Sequence, residues 1–503
     1  MNKKNILLII ILLIIIAGSV IFGISHARFE SNVTNQVAYG KIEGNFADFK
    51  IEGLYVDGNE ILSMSDVPEG YIIDETNSYC YQNSSSVKDE SVRLYTNENG
   101  EHIFSNISKG NKCIIYFRKL TFADFIINDA PNSGTDNVSN STWVLTSDHE
   151  GEYRYAGKNP DNYISFNGEL WRIIGVMPNM TYCTGTYKAA NECSTTKTGS
   201  LVKIIRNSTF GNIIWDYKQT DVGSSIINYG SNDWSDSQLQ LMLNGTTYLK
   251  TGYDKNGNQL HTSYSIASNV VKGNGYNYYN ATYSYLDGNG TSVYVPSSAT
   301  TSAYTATSGT VPKKIGSDYI DKIATVKWDL YGTESYTSAA EGSPAAFYNK
   351  ERNINSTGKV YESTSLVENR PAYWYGKVGL MYLSDYGYAT NGGSTYNRTA
   401  CLGYQMSGWN SESYQTDCAG NSWLLYTGIE GSAPGSSGTY QWTLDPRSGY
   451  SGGVFYVASN GRASVNRRVN DPDNAVRPVL YLSADTIYGG EGEGTWDDPY
   501  TIE

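Results

Sequence analysis

Few side chains in this chain carry a charge, and very few are histidines. Charged residues make up 17% of the 503 positions, and the four histidines stand singly, at His26, His102, His149 and His261. No H-E-x-x-H, H-x-H or C-x-x-C grouping occurs, and no nucleophile elbow or S-x-x-K site stands out. The sequence therefore predicts no metal site, no cofactor and no catalytic residue, and hence a protein that is not an enzyme.

Concentrated positive charge is also lacking. The 37 basic residues are outnumbered by 50 acidic ones, which gives a net charge of −13 at pH 7. Binding to nucleic acid phosphates needs a dense patch of Lys and Arg, so the sequence predicts no nucleic acid partner. The one dense group of arginines is Arg462, Arg467 and Arg468, near the C-terminus.

One long apolar run is present, at the start of the chain. Lys3 and Lys4 precede residues 6–24, nineteen positions without a charge. A helix of that length rises roughly 28 Å, about the thickness of the hydrocarbon core of a bilayer. The run predicts a cytoplasmic stub and a single transmembrane helix within residues 1–28, with the rest of the chain exported. Cleavage after Ala27 and secretion is the alternative, because Ser25 and Ala27 fit a signal-peptidase site.

The remaining composition is typical of an exported, β-rich protein. Tyrosine supplies 44 positions and glycine 51, and tyrosine suits β surfaces and contact surfaces because it has an apolar ring and a polar tip. We expect a mainly β fold with short helices, of the α+β class. The six cysteines form three pairs close in sequence, which outside the cytoplasm predict disulfides. The pairs are Cys80–Cys113, Cys183–Cys193 and Cys401–Cys418.

Turn signals and composition divide the exported part into two domains. Residues 29–120 predict a small β-sandwich that spaces the larger domain from the membrane, with two-residue hairpin loops at Asp57-Gly58 and Asn99-Gly100. Residues 121–141 predict a linker because Pro, Gly, Asn, Asp and Ser are frequent there. Residues 142–503 form the large domain, with inserted loops or an inserted hairpin at about 250–312.

Local signals in the large domain predict hairpins and short helices. Asn167-Gly168 and Asn460-Gly461 predict type I′ hairpin turns. One helix is expected to begin with a capping box at Ser235 and to stop at Asn244. A second is expected to begin at Ser343, which is followed by proline at the first helical position.

The stretch after Trp442 is the best candidate for a binding site. A hairpin over residues 453–465 is followed by the polar segment 466–474 and an apolar final strand, so polar side chains are presented between rigid strands. Arg and Tyr dominate binding hot spots. The predicted ligand-binding residues are Arg447, Tyr450, Tyr456, Arg462, Ser464, Asn466, Arg467, Arg468, Asn470 and Asp473. The alternative is that Tyr456 packs in the core and the arginines only offset the acidity of the protein.

Five long strings resemble a family of exported gut-bacterial surface proteins of the Firmicutes type. They are NGELWRIIGV (167–176), NDWSDSQLQLMLNG (232–245), GLMYLSDYGYA (379–389), QWTLDPRSGYSGGVFYVASNG (441–461) and AVRPVLYLS (475–483). The resemblance covers roughly residues 140–503. It implies a C-type-lectin-like domain, similar to formylglycine-generating enzymes and to the variable proteins of diversity-generating retroelements. In those variable proteins the changing residues lie on a C-terminal surface, which here matches positions 447–474, with Arg477 in the framework strand.

The apolar run and the resemblance together predict a single-pass protein of the bacterial cell membrane that binds an extracellular protein or glycan through its C-terminal region. Two alternatives stay open: an extracellular carbohydrate-active enzyme, which needs two convergent carboxylates in a cleft, and a purely structural envelope protein. Two acidic segments contain side chains of the kind that bind cations, but each has a simpler structural interpretation. Residues 254–258 fit a hairpin turn, since the twelfth loop position is Ser265, and the segment with Glu491, Glu493, Asp497 and Asp498 fits a solvated terminus.

Overall fold

The computed structural model of the chain describes residues 49–68, 70–82, 87–97, 100–129, 151–185, 187–188, 192–209, 215–216, 232–244, 317–360, 372–425, 440–469, 471 and 474–503, together with short strands elsewhere. These strands are Phe29–Glu30, Gln36–Val37, Ile42–Gly44, Trp143–Thr146, Thr220–Val222, Ser225–Ile227, Ser265–Ile266, Ser284–Leu286 and Ser292–Tyr294. Within the described residues no helix has the length and apolar character needed to cross a bilayer, and the run 6–24 lies outside them. The chain divides into two compact units, residues 1–121 and 122–503.

The described part of the N-terminal unit has two main sheets that share one core. The first contains Asn59–Ile61, Lys50–Val56 and Asn111–Lys119 in that order, with Tyr71–Ile73 and Tyr79–Gln82 both paired to Asn111–Lys119. The second contains Ile42–Gly44, His102–Ile107 and Arg93–Thr96. Alternate residues of Asn111–Lys119 are buried, and Ile115 and Phe117 pack in one cluster with Phe104 of the second sheet. This is a β-sandwich, as the sequence predicts.

The two predicted hairpins of this unit have different outcomes. Asp57 and Gly58 have φ values of 49° and 81° and join Val56 directly to Asn59, so this two-residue turn is confirmed. Asn99 lies outside the described residues, but the strands before and after it pair as far as Thr96 with His102, and the backbone N of Asn97 donates to the Glu101 carbonyl at 2.9 Å. The loop is therefore longer than two residues, and the predicted loop length is wrong.

The large unit begins with a helix, Phe122–Asp129, inside the range 121–141 that the sequence predicted as a linker. Phe122, Ala123 and Ile126 are buried on one face of this helix. The ring of Phe125 stacks on Tyr488, with 3.8 Å between the ring centroids. The apolar face of the helix covers the core of the large unit, which explains why these residues fold onto it.

Two sheets form the framework of the large unit. In the nine-stranded sheet the order is Trp143–Thr146, Glu152–Tyr155, Glu169–Cys183, Thr196–Arg206, Val479–Tyr481 and Val378–Gly379. Tyr163–Phe166 pairs with Glu169–Cys183, and Thr325–Asp329 pairs with both Glu169–Cys183 and Tyr373–Gly376. In the four-stranded sheet the order is Ala463–Ser464, Val454–Ala458, Tyr440–Pro446 and Asn474–Ala475. A short ribbon pairs Tyr187–Lys188 with Glu192–Cys193.

Short helices connect and cover these sheets. Besides Phe122–Asp129, the α-helices among the described residues are Gln238–Asn244, Ser317–Ile320, Ala339–Gly342, Pro344–Glu351, Leu383–Tyr388, Arg398–Leu402 and Glu412–Asp417. Short 3₁₀ turns occur at Met64–Asp66, Trp234–Asp236, Ile354–Ser356, Met406–Gly408 and Ala419–Asn421. Described strands and helices together confirm the expected mainly β fold with short helices.

Of the two predicted helix starts, one is confirmed and the other is wrong. The hydroxyl of Ser343 accepts a hydrogen bond from the backbone N of Ala346 and caps Pro344–Glu351, as predicted. The other helix does not begin at Ser235. Its cap is Ser237, whose hydroxyl accepts from the backbone N of Gln240, and Asp233 caps a separate 3₁₀ turn before it. The prediction placed the cap two residues early because both serines precede the same apolar run.

Of the two predicted turns in the large unit, one is confirmed and the other has a different loop length. Asn167 and Gly168 have φ values of 56° and 67° and join Phe166 directly to Glu169, which confirms a two-residue turn. At Asn460-Gly461 the hairpin forms, but the backbone N of Ala458 bonds to the carbonyl of Arg462 at 2.9 Å, so the loop has three residues and the predicted turn type is wrong. All three predicted disulfides are confirmed.

A cluster of buried charges lies between the large sheet and the helices. The Asp385 carboxylate pairs with Lys203 at 2.6 Å and with Arg154 at 2.7 Å, and it also accepts from the backbone N of Tyr382. Arg154 pairs in turn with Glu152 at 2.7 Å. Burial opposes ionisation of Asp385, but the ion pairs with Lys203 and Arg154 outweigh it and hold its pKa well below its usual range.

The cluster continues through Glu351. This carboxylate pairs with Arg352 at 2.9 Å and accepts from the backbone N of Ser384. Arg352 lies over the ring of Tyr348, whose hydroxyl donates to Glu152. The cluster contains equal numbers of basic and acidic side chains, so it is neutral when all six are ionised. They are Arg154, Lys203 and Arg352, and Glu152, Glu351 and Asp385.

One more carboxyl, Asp445, lies beside this neutral set. Its Oδ2 accepts from the backbone N of Leu383 at 2.8 Å, while its Oδ1 is buried without a hydrogen-bond partner. Burial first, and then the neighbouring Glu351 carboxylate, raise the pKa of Asp445 well above its ordinary value. This shift favours the protonated form of Asp445, in which it adds no charge to the cluster.

We expect opposite results from two matched changes of carboxyl to amide. Asp385→Asn leaves the buried Lys203 without its anion and Arg154 with Glu152 alone, and it should lower the free energy of unfolding by about 3–5 kcal/mol. Asp445→Asn replaces a protonated carboxyl by an amide of the same shape and should cost little at pH 5. Urea unfolding of the two variants and the wild type measures both effects.

The pH dependence of the free energy of unfolding distinguishes a protonated from an ionised Asp445 in the folded protein. Since its folded pKa is raised, wild-type stability falls as pH rises above the ordinary Asp pKa of about 3.9, because only the unfolded chain releases the proton. Asp445→Asn lacks this loss, so its stability relative to wild type should increase from pH 5 to pH 8. A constant deficit of Asp445→Asn over that range would mean that the wild-type carboxyl is ionised in the folded protein.

Candidate functional site

The polar segments after strand Tyr440–Pro446 form one region of the surface. A turn over residues 447–453, here called the display turn, joins this strand to Val454–Ala458 and is closed by a hydrogen bond from the Arg447 backbone N to the Gly453 carbonyl at 3.0 Å. Arg468 pairs with Gly453 in an isolated bridge, and the backbone N of Val469 donates to the Gly452 carbonyl at 2.9 Å, so residues 466–469 run beside the turn. The exposed and half-exposed side chains of both are called the display surface.

A carboxylate from another part of the chain holds the display turn. Glu334 accepts from Nε of Arg447 at 2.8 Å, from a second guanidinium nitrogen of Arg447, and from the backbone N of Gly449 at 3.0 Å. The hydrogen bonds with Glu334 raise the pKa of Arg447 above its usual value. The Arg447 guanidinium also lies 5.9 Å from the ring centre of Tyr450. Arg447 is therefore fixed in one orientation although its side chain is 32% exposed.

A buried asparagine organises the same turn from beneath. The side-chain nitrogen of Asn232 donates to the carbonyls of Arg447 at 3.0 Å and Tyr450 at 3.1 Å, and also to that of Gly453. The backbone N of Asn232 donates to the Ser451 carbonyl at 2.6 Å. Three carbonyls of one turn thus converge on one amide, which fixes the path of the turn through its backbone.

The side chain of Arg467, also on the display surface, is held by an aromatic ring and a carboxylate. The Arg467 guanidinium lies 3.8 Å from the ring centre of Tyr440 and pairs with Asp471 at 2.6 Å. Tyr440 in turn meets Tyr456 edge-on, with 5.4 Å between the centroids. Stacking and ion pairing together restrict the Arg467 side chain, so this part of the display surface is preordered too.

The ten predicted ligand-binding residues fall into three groups. Arg447, Tyr450, Arg462, Asn466, Arg467 and Arg468 are exposed or half-exposed. Tyr456 and Ser464 are buried, at 6% and 2% exposure, because they face each other across two paired strands of the four-stranded sheet. They support the surface and do not form it. Asn470 and Asp473 lie outside the described residues.

Arg477, which the resemblance implies to be in the framework strand, lies two residues before strand Val479–Tyr481. It is 3% exposed, and its Nε donates to the backbone carbonyl of Arg206 at 2.9 Å. This contact ties the last strand region to the end of strand Thr196–Arg206. Sequence reasoning missed Glu334, Asn232 and Tyr440, which hold the display surface. Asn232 does begin one of the long strings, but nothing in that string indicates a contact more than 200 positions away.

The letters Gly449-Tyr450-Ser451-Gly452-Gly453 match a nucleophile elbow, but the local structure does not. An elbow joins a strand to a helix and exposes its serine, whereas the display turn joins two strands and Ser451 is 3% exposed. Within the described residues no group of three or more His, Cys, Asp or Glu side chains has the geometry of a metal site. The segment 254–258 lies outside those residues.

We expect Asn232→Asp to destabilise the display turn. The change keeps the shape of the side chain but places an acceptor against three carbonyl oxygens, so the free energy of unfolding should fall by about 2–4 kcal/mol. Asn466→Asp, at an exposed position of the same surface, is the control and should change it by less than about 0.5 kcal/mol. Urea unfolding measures stability, and hydrogen exchange of residues 447–453 localises the effect. Equal stability of the two variants would contradict the role of Asn232.

Known proteins do not identify this surface. Comparisons of the chain with protein-family models, with curated proteins and with solved structures find no match. The functional argument therefore starts from the geometry of the display surface.

Proposed function

We propose that the chain is a bacterial cell-surface protein that binds an extracellular protein or glycan through the display surface. In this proposal residues 6–24 form a single membrane anchor, the N-terminal sandwich is a spacer, and the large unit is a C-type-lectin-like domain. Binding, rather than catalysis, is the activity proposed.

The observation that carries the proposal is the preorganisation of exposed Arg and Tyr side chains. Arg447 is held by Glu334, and Arg467 is held by Asp471 and Tyr440. Ordering a long side chain at an interface costs about 0.5–1.5 kcal/mol, so side chains that are already ordered leave more of the contact energy for affinity. A surface that only needs to be soluble has no use for this ordering, because exposed ion pairs add little to stability.

The framework beneath the surface also supports a binding role. The display turn is tied to Asn232 below and to Glu334 at its side, while its backbone enters from a strand anchored by Asp445 in the charge cluster. Loops held in this way by a rigid scaffold are where binding residues are most often found. The turn thus combines exposed side chains with a fixed backbone.

The test compares binding by the full chain and two variants on arrays of extracellular proteins and glycans. The display variant carries Tyr450→Ala, Arg467→Ala and Arg468→Ala. The control variant carries Lys327→Ala and Tyr373→Ala, which remove another half-exposed pair of a cation and a tyrosine ring, 4.8 Å apart. Loss of two hot-spot side chains at about 2 kcal/mol each should weaken binding by at least about 100-fold in the display variant.

The control variant should bind as the wild type does. Circular dichroism and thermal unfolding of all three proteins show whether the display variant stays folded. Equal binding by wild-type and display proteins would place the site elsewhere, and absence of any bound ligand on both arrays would contradict the proposed function.

A further inference from the structure

Three tyrosine rings form a column on the large unit, away from the display turn. Tyr414 lies between Tyr396 and Tyr404, with centroid distances of 4.0 Å and 3.8 Å and interplanar angles of 12° and 10°. All three side chains are half-buried, and they rest on the edge of the main core. We call this set the tyrosine column.

The segment that carries the column is braced from several sides. The disulfide Cys401–Cys418 closes a 17-residue separation that includes both Tyr404 and Tyr414. The buried Asp417 carboxylate accepts from the backbone N of Thr395 and of Tyr396, both at 2.6 Å. The Tyr396 backbone is therefore tied to the residue next to the disulfide, and the column has little freedom to separate.

The close parallel stacking of the three rings differs from the geometry that aromatic pairs usually prefer. We attribute it to the disulfide and the Asp417 hydrogen bonds that brace the segment. Aromatic pairs prefer offset or edge-on contacts with centroids about 4.5–7 Å apart, because their faces carry like partial charge. Phe347 and Phe455 follow that preference, at 5.2 Å and 80°, whereas Phe125 and Tyr488 stack closely, at 3.8 Å and 10°. Near-parallel rings at 4 Å or less in the column show that the loop geometry brings them together.

The column has one closed end and one end beside solvent-exposed residues. At the Tyr404 end the backbone of Gly408 packs so closely that a Cβ there would lie 2.7 Å from the Tyr404 ring. At the other end Ser394, Thr395 and Asn397, all exposed, flank Tyr396. The charged residues at this end are buried and bonded to backbone groups: Arg398 donates to the carbonyls of Tyr388 and Thr390, and Asp417 accepts from the backbone N of Thr395 and Tyr396. The exposed side chains that form the rim of the open end are therefore uncharged and polar.

Hydroxyl and amide groups occur beside the column. Burial, and then a hydrogen bond with the Tyr396 hydroxyl, raise the pKa of Tyr414 above its ordinary value. The exposed Ser394, Thr395 and Asn397 next to Tyr396 add two hydroxyls and an amide. An aromatic face with an uncharged rim of hydroxyl and amide groups offers apolar contact and hydrogen bonds together.

From this geometry we propose that the tyrosine column is a binding site for neutral glycans. A pyranose ring would lie on the outer face of Tyr396 as the fourth member of the column. The C–H hydrogens on the flat side of the sugar are slightly positive and meet the negative face of the ring, while the sugar hydroxyls bond to the rim. An acidic or a cationic ligand finds no matching charge at residues 394–397.

The site is separate from the display surface but adjoins its hairpin. The side chain of Gln415, next to Tyr414 in sequence, donates to the Asn460 carbonyl at 3.2 Å. The proposal for the column does not depend on the proposed function, because no display-turn residue takes part in it. Each can fail while the other holds.

The probes are four neutral hexasaccharides: maltohexaose, cellohexaose, chitohexaose and xylohexaose. Saturation-transfer NMR with the full chain detects binding at millimolar affinity, and calorimetric titration gives the dissociation constant. At least one hexasaccharide should bind the wild type. Tyr396→Ala removes the stacking face and should weaken that binding about tenfold or more, whereas Tyr396→Phe keeps the face and should stay within about threefold of wild type.

Two controls make the result decisive. Tyr373→Ala removes a half-buried tyrosine of another surface and should leave glycan binding unchanged, and thermal unfolding shows whether each variant is folded. The proposal is overturned if none of the four hexasaccharides binds. It is also overturned if a folded Tyr396→Ala protein binds as tightly as the wild type, or if Tyr396→Phe loses as much affinity as Tyr396→Ala.

Discussion

The Asp385 carboxylate joins parts of the chain that are far apart in sequence. Its partners Arg154 and Lys203 are 231 and 182 positions away, on two strands of the nine-stranded sheet, while Asp385 itself lies in helix Leu383–Tyr388. Buried charges are tolerated only when they are paired in good geometry, so sheet and helix must meet in one arrangement. Two hydrogen bonds at the start of that helix position the strand that enters the display turn. The backbone N of Leu383 donates to the Asp445 carboxyl, and the backbone N of Leu444 donates to the Met381 carbonyl.

Local features of this fold were predictable because they need only local information. The two-residue turns at Asp57-Gly58 and Asn167-Gly168 depend on two residues that tolerate positive φ, and both are confirmed. The disulfides were predictable from pairs of cysteines close in sequence. At Asn460-Gly461 the same reasoning gave the hairpin but not its loop length, because the bond between Ala458 and Arg462 depends on how the neighbouring strands pair.

Long-range contacts were not predictable from composition or spacing. Nothing near Glu334 in sequence shows that it meets Arg447, which is 113 positions away, and the carbonyls bound by Asn232 are more than 200 positions away. Arg and Tyr were correctly expected at the surface after Trp442, but which of them face solvent depended on strand register. Register buries Tyr456 and Ser464 opposite each other and leaves the side chain of Asn466 exposed.

The position of strand Val479–Tyr481 sets an order for folding. It lies between Thr196–Arg206 and Val378–Gly379, so the interior of the large sheet is completed by a strand that follows both of its neighbours in sequence. The cysteine pairs, separated by 10 and 17 positions in this unit, can close before that strand is made. A chain synthesised from its N-terminus therefore keeps the facing edges of these two strands open until Val479–Tyr481 is made, and such edges pair readily with other chains. Completion of the large sheet thus depends on protection of those edges until that strand arrives.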